Sequence, residues 1–410
     1  MRRKNAWTTY NKKQLDELEK LCKNYLKFLD KGKTERECVK QIVKQAEEKG
    51  YVNLADITKD KKALKAGDKV YSVCMDKTVA LFQIGKKKLE KGMNILGAHI
   101  DSPRMDVKQN PLYESEEFAY LDTHYYGGIK KYQWVTLPLA LHGVVVKKDG
   151  TVITVNVGED KNDPVFCVTD LLIHLAGEQM EKKANKVIEG ENLDVLVGSK
   201  PLEGKEKDAV KEGILEILKE KYDMTEEDFM SAEIEVVPAG HAREAGLDHS
   251  MVMSYGQDDR VCAYTSLAAM LEVEEVEKTT CCLLTDKEEI GSVGATGMQS
   301  RFFENSVAEL MDAMGEFSEL SLRRCLANSS MLSSDVNAAY DPLFANAFEK
   351  NNASYFGRGV VFSKFTGSRG KSGSNDACAE YIGELRKVMD DSNVCWQTAE
   401  LGKVDQGGGG

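Results

Sequence analysis

Asn94-Ile95-Leu96-Gly97-Ala98-His99-Ile100-Asp101-Ser102-Pro103-Arg104 reads as a buried strand with a chemically equipped end. Residues 94–98 are an apolar run that delivers His99, and Pro103 and Arg104 stop the strand. Side chains two apart on an extended chain point to the same side, so Asp101 is placed to hold the His99 ring. An imidazole that binds a metal through one nitrogen commonly gives its other N–H to a carboxylate. Taken alone, the pair has an ordinary explanation, a strand-end histidine hydrogen-bonded to its neighbour, so the rest of the chain has to decide.

Further along, the same construction recurs. The apolar run at 281–284 leads into Asp286-Lys287-Glu288-Glu289-Ile290-Gly291. Adjacent carboxylates repel unless protons or cations intervene, so one glutamate as metal ligand and the other as general base is a sensible division. Asp258-Asp259 follows Tyr255-Gly256-Gln257 at the approach to a helix over 260–271. One of those carboxylates is suited to bridge two metals, and the ordinary alternative is an acidic helix N-terminus. Asp335 ends a segment that starts at Met331, where a turn or cap is the usual reading, and it gains weight only from the other clusters. Together the clusters imply a hydrolase working with two hard divalent cations.

The surrounding pattern is helix–strand alternation. Leu15, Leu18, Cys22, Tyr25 and Leu29 recur at helical spacing, and Thr34-Glu35-Arg36-Glu37 is a capping-box signature for a second helix. Residues 79–84 read as a further strand. From about residue 105 strand-like and aromatic runs take over, including 136–146 and 151–157 around the turn signal Lys148-Asp149-Gly150. A Glu- and Lys-rich stretch follows, with an amphipathic helix around Val210, Ile214, Leu218 and Tyr222. Alternation resumes after Ser254, with strands expected at 279–284, 360–365 and 394–398 and a helix capped by Asn375. The expected architecture is α/β. A catalytic domain (1–104 and 251–410), with a central mixed sheet flanked by helices, is interrupted by an inserted β-rich domain (105–250).

The chain has 410 residues, more than single cores usually organise, which also favours two domains. Its 67 acidic against 55 basic residues give a net charge of −12, which argues against nucleic acid or an anionic membrane as partner. No stretch approaches the roughly 20 apolar residues of a membrane span. The basic start Met1-Arg2-Arg3-Lys4 lacks an apolar segment behind it, so no secretory signal is expected. Ten cysteines without CxxC spacing fit reduced thiols and a cytoplasmic location.

In combination and order, Gly97-Ala98-His99-Ile100-Asp101-Ser102-Pro103-Arg104, Tyr255-Gly256-Gln257-Asp258-Asp259-Arg260, Asp286-Lys287-Glu288-Glu289-Ile290-Gly291-Ser292 and Ser334-Asp335-Val336 resemble the aspartyl aminopeptidase and aminopeptidase I family of dinuclear metallopeptidases. The resemblance implies His99 and Asp335 on one metal, Glu289 on the other, Asp258 bridging both, Glu288 as general base and Asp101 orienting His99. It implies two divalent ions, zinc first, with cobalt or manganese open because carboxylate-rich sites discriminate weakly. Leu172-Ile173-His174-Leu175 also resembles a family segment; the resemblance sends His174 to a neighbouring subunit's active site, while the residues alone suggest a histidine on an apolar helix. The inserted domain is implied to dimerise, and the dimers to build a tetrahedral dodecamer. The implied substrates are short peptides losing their N-terminal residue, an acidic one by the family's best-known preference and Leu in some members. Lys371, in the basic loop Gly367-Ser368-Arg369-Gly370-Lys371-Ser372-Gly373, is a candidate partner for such a side chain. The spacing of that loop does not match a nucleotide-binding GxxxxGK[ST].

The family pattern ends in a histidine beyond the glycine run that completes the second metal site. The 6 histidines here, at 99, 124, 142, 174, 241 and 249, all precede Asp335, so the C-terminal end is expected to be missing and the second metal to keep Asp258 and Glu289. Two alternatives follow: a two-metal deacylase of N-acyl amino acids, and a catalytically silent assembly subunit.

Overall fold

The computed structural model describes residues 4–371 and 373–407. Residues 1–3 of the basic start, Ser372 of the Gly/Ser-rich loop and 408–410 of the glycine run lie outside the described residues. In chain order the strands are β1 (Val52–Asn53), β2 (Lys69–Cys74), β3 (Thr78–Gln83), β4 (Asn94–His99), β5 (Arg104–Ser115), β6 (Phe118–Tyr126), β7 (Leu139–Val146), β8 (Val152–Val157), β9 (Val195–Gly198), β10 (Ala232–Pro238), β11 (Arg243–Ala245), β12 (Met251–Met253), β13 (Thr280–Thr285), β14 (Ser330–Ser333), β15 (Val360–Ser363) and β16 (Trp396–Ala399).

By contacts the chain divides into Tyr25–Ser334 and a second unit of Met1–Asn24 with Asp335–Gly410. The larger unit contains two six-stranded sheets. The first has the order β1-β2-β3-β13-β4-β14 and is mixed, with β13, β4 and β14 running parallel. Its central strands β3, β13 and β4 are buried on both faces, so they read as continuous apolar runs rather than alternating ones. Successive residues serve different cores. Val79, Leu81, Cys282 and Leu284 pack with Tyr25, Phe28 and Leu29 and with the helices Glu35–Glu48 and Gln257–Glu272. Ala80, Phe82, Cys281 and Leu283 pack with Leu54–Asp60, Phe302–Ala313 and Glu319–Ala327. The adjacent cysteines therefore face opposite ways, and all ten are free thiols. The capping box is present: Thr34 Oγ1 accepts from Glu37 N–H at 3.2 Å, and Glu37 Oε2 accepts from Thr34 N–H at 3.1 Å.

The second sheet, β8-β7-β10-β5-β6-β9, is antiparallel throughout. The turn at Lys148-Asp149-Gly150 joins β7 to β8 in the register Val146↔Val152, with Gly150 at φ +87°. The core of this sheet is its own, built on Met105, Leu121, Leu139, Val145 and Val236, with Val210 from the helix Ala209–Tyr222.

In the smaller unit, β15 and β16 pair in parallel and form a two-stranded sheet of their own. Between them lies the helix Ala379–Asp391, and here one expectation is corrected. The helix cap is Cys378, not Asn375. Asn375 is held back by Thr366, whose Oγ1 accepts the Asn375 N–H at 3.1 Å, so the chain is still pairing as a bridge when the helix was expected to start. Among the described residues, no helix is long and apolar enough to cross a membrane.

Candidate metal centre

Parallel strands deliver their following loops to the same sheet edge, which is where α/β folds place ligands. Here Thr285 of β13 pairs with His99 of β4, so Asp101 and the loop Asp286-Lys287-Glu288-Glu289 emerge side by side. A ligand atom from each of His99, Asp258 and Glu289 lies within 4.8 Å of the others. The His99 ring is buried and its Nε2 is 3.4 Å from Asp258 Oδ1 and 3.8 Å from Glu288 Oε2. Its Nδ1 faces the Asp101 carbonyl at 3.1 Å and Oδ1 at 3.3 Å. Oxygens face both ring nitrogens; a proton on Nδ1 would be held by Asp101 and would leave the Nε2 lone pair toward the carboxylates of Asp258 and Glu288. Such an arrangement is repulsive unless a proton or a cation lies among the groups, so the donor set fits a hard divalent ion.

Asp101 is fully buried and ties three segments together. It faces His99 Nδ1, accepts the Glu288 N–H on Oδ1 and the Glu289 N–H on Oδ2, both at 3.2 Å, and accepts the Tyr126 hydroxyl on Oδ2 at 2.7 Å. Burial pushes its carboxyl up, but the hydrogen bonds from His99 and Tyr126 outweigh burial and hold it below the usual range. Glu289 goes the other way. Burial first, then the Asp258 carboxylate, push its carboxyl up to about 7, with His99 opposing and Asp101 and Glu288 adding to the rise.

Asp258 stands at the start of the helix Gln257–Glu272, and its side chain is 55% exposed. The Ser102 hydroxyl donates to the Asp258 carbonyl at 2.7 Å, and the Asp258–Asp259 peptide is cis. Arg260 then turns inward, donating to the Ile100 carbonyl at 3.2 Å and the Lys33 carbonyl at 2.9 Å. Gly256 is required for that path, because a Cβ there would lie 1.9 Å from Arg260 Nη1. Asp286, the first acid of its motif, is not at the cluster. It is buried and accepts the Thr296 hydroxyl at 2.6 Å, which fixes the turn through Lys287 at φ +71°.

The remaining sequence candidates are placed as follows. Asp335 is the first residue after Ser334 and opens the smaller unit's second segment, its Oδ1 accepting the Val336 N–H at 2.6 Å. His174 sits in an exposed turn, not on a helix, and its neighbour Ile173 is 69% exposed. Lys371 is exposed, with its ammonium 3.8 Å from the centre of the Phe365 ring.

Sequence reading missed Tyr126 and Gly127. Two cations lie near the Tyr126 ring centre, Arg104 at 3.7 Å and Lys287 at 5.3 Å. Burial and the adjacent Asp101 carboxylate push its phenol well up, so it stays a donor. Gly127 has φ +72°, and a Cβ there would sit 3.3 Å from Glu289 Oε2. For Gly127 the signal available was the pair Gly127-Gly128 itself, at a strand end where another segment approaches closely; Tyr126 had none.

Residues 28–410 match the family model for the aminopeptidase I zinc metalloprotease (M18). A probable M18 family aminopeptidase 1 of Clostridium acetobutylicum is 62% identical over 408 residues, 99% of this chain and 88% of that protein. One from Thermotoga maritima is 46% identical over 411 residues, 100% of this chain and 89% of the other. The crystal structure of the T. maritima M18 aminopeptidase superposes with a TM-score of 0.94, covering 100% of this chain and 89% of that one at 46% identity. That of aminopeptidase I from C. acetobutylicum gives 0.91 at 60% identity, over 99% and 88% of the two chains. The chain belongs to the aminopeptidase I (M18) family of zinc metalloproteases.

Proposed function

We propose that the chain releases N-terminal residues from short peptides at a centre of two divalent ions, zinc first, held by His99, Asp258, Glu289 and Asp335. The observation that carries this reading is the convergence of His99, Asp258 and Glu289 at one edge of the first sheet, with Asp101 behind them. The role of Asp335 rests on the Ser334-Asp335-Val336 motif. When bound, the ions supply polarisation of the scissile carbonyl and acidify water.

The protein's own groups divide the remaining work. Asp101 holds the His99 ring with its Nε2 toward the carboxylates and fixes the backbone of Glu288 and Glu289. Glu288 takes a proton from the attacking water as the C–O bond forms, then passes it to the amine nitrogen as the C–N bond breaks. Glu289 and Asp258 supply the negative charge that holds cations. By resemblance, His174 completes the site of a neighbouring subunit, which its exposed turn supports. Lys371 pairs with an acidic first side chain, and the second sheet belongs to an inserted dimerisation domain over 105–250. Homo-oligomers, up to a tetrahedral dodecamer built from dimers, and a cytoplasmic location belong to the same reading.

Family membership does not favour the deacylase or the silent subunit. Glu288→Gln tests the mechanism: kcat should fall by about 10²- to 10⁴-fold with zinc content unchanged. Peptidase activity at the wild-type level would refute the role.

A further inference from the structure

Among the described residues four groups face the Asp101 side chain, and three of them lie on the candidate metal-bearing segments: His99 Nδ1, Glu288 N–H and Glu289 N–H. Tyr126 is the one donor among them that comes from elsewhere, the last residue of β6 in the second sheet. A carboxylate held only by the groups it orients moves with them; one also held from outside has a fixed reference. The hydroxyl is itself fixed. Tyr126 pairs across the strands with Arg104 of β5, whose guanidinium stacks on its ring at 3.7 Å. Arg104 is in turn anchored by Asp106 at 2.9 Å, Glu235 of β10 at 3.5 Å and Glu35 at 3.6 Å. Lys287, whose ammonium lies 5.3 Å from the centre of the same ring, precedes the proposed base.

We infer that Tyr126 is a positioning residue of the metal centre, through which the second sheet sets the orientation of Asp101 and hence of His99, Glu288 and Glu289. The inference rests on the metal reading above. It gives the second sheet a part in the catalytic geometry of its own subunit, besides any part in assembly. Its hydroxyl is committed to the Asp101 carboxylate, so it acts through Asp101.

Tyr126→Phe keeps the ring, the stack and the volume, and removes one hydrogen bond. Zinc affinity, measured by competition with a chromogenic chelator, should weaken about tenfold, within the range that outer partners of metal ligands command. Peptide hydrolysis by the zinc-saturated variant should lose kcat several-fold at unchanged KM, while the melting temperature of the metal-free protein stays near the wild-type value. A folded variant whose zinc Kd and kcat both lie within twofold of wild type overturns the inference. Should wild type itself bind no zinc, the metal reading fails and this inference with it, so the two failures are distinguishable. If the phenylalanine variant does not fold, Arg104→Lys carries the test, since it keeps the charge among Glu35, Glu235 and Asp106 and removes the planar stack. Zinc binding should weaken in the same direction by a smaller factor, and an unchanged Kd overturns the inference.

Discussion

Two dense charge clusters lie in the larger unit, and they solve the same electrostatic problem differently. Around Arg104 and Lys33 the protein supplies its own cations. Arg104 lies among Glu35, Asp106 and Glu235, and Lys33 contacts Glu159 at 3.5 Å. His142 bridges Glu37 at 2.8 Å and Glu159 at 3.1 Å. Within this network, burial and the facing Glu35 carboxylate push Glu235 up, whereas Glu35, although buried, is held down by Arg104. At the edge of the first sheet, Asp101, Asp258, Glu288 and Glu289 converge on a single imidazole. The first cluster carries cations of its own among its carboxylates and is structural. The second is left anionic, and that imbalance is what suits it to hold ions from outside.

The largest effect should come from unbalancing the structural cluster. Arg104→Met leaves Glu35, Glu235 and Asp106 without their guanidinium, and removing one partner of a buried ionic group costs about 3–5 kcal/mol. Denaturant unfolding at pH 7 reads the loss directly, and it should shrink toward pH 5 as the carboxyls protonate. A variant as stable as wild type at pH 7 would show that this network is not what balances the charge.

Zinc should supply at the metal edge what Arg104 supplies internally. At a free concentration a hundred times its Kd, an ion that binds only the folded state adds about 2.7 kcal/mol. The pH dependence sharpens the contrast. Glu289 is raised from 4.5 to about 7, so in metal-free protein its contribution is fully present below pH 4.5 and is lost as pH rises through about 7. Metal-free stability should therefore decline across that window, and zinc binding, which displaces the proton, should strengthen across it. Glu289→Gln should flatten the metal-free slope in urea titrations between pH 5 and 8; an unaltered slope would assign it to another group.

How far the sequence carried depends on whether a feature is local. The apolar runs at 94–98 and 281–284 marked strands, and the acids just beyond them marked the site, because parallel strands bring their ends together. The Thr34 box was legible for the same reason, all its partners lying within four residues. Tyr126 was not. It reaches Asp101 from 25 positions away, on a strand of a different sheet, and nothing in Tyr125-Tyr126 distinguishes it from an ordinary strand aromatic. Asn375 failed for a related reason, since its competing partner Thr366 is paired across a turn rather than along the helix. His174 looked helical from its apolar neighbours, yet Leu172, Ile173 and Leu175 are all exposed, so apolar content there does not report a buried helix face.

His142 offers the finest probe of the comparison, because it is the titratable cation of the first cluster. Burial alone would push its imidazole down, but the hydrogen bonds to Glu159 and Glu37 prevail and hold it above 6.5. The stabilisation it contributes is therefore fully present below pH 6.5 and is lost as pH rises through the higher, folded value. His142→Gln can still donate to one carboxylate but cannot bridge two as a cation, so its cost should be on the order of 1 kcal/mol at pH 6 and smaller at pH 8. Zinc should leave that difference untouched, because Glu37 and Glu159 contact His142 and Lys33 and are not among the candidate metal ligands. If zinc instead erased the His142 effect, the two clusters would be one electrostatic system, and the division between a network with its own cations and an ion-seeking edge would have to be abandoned.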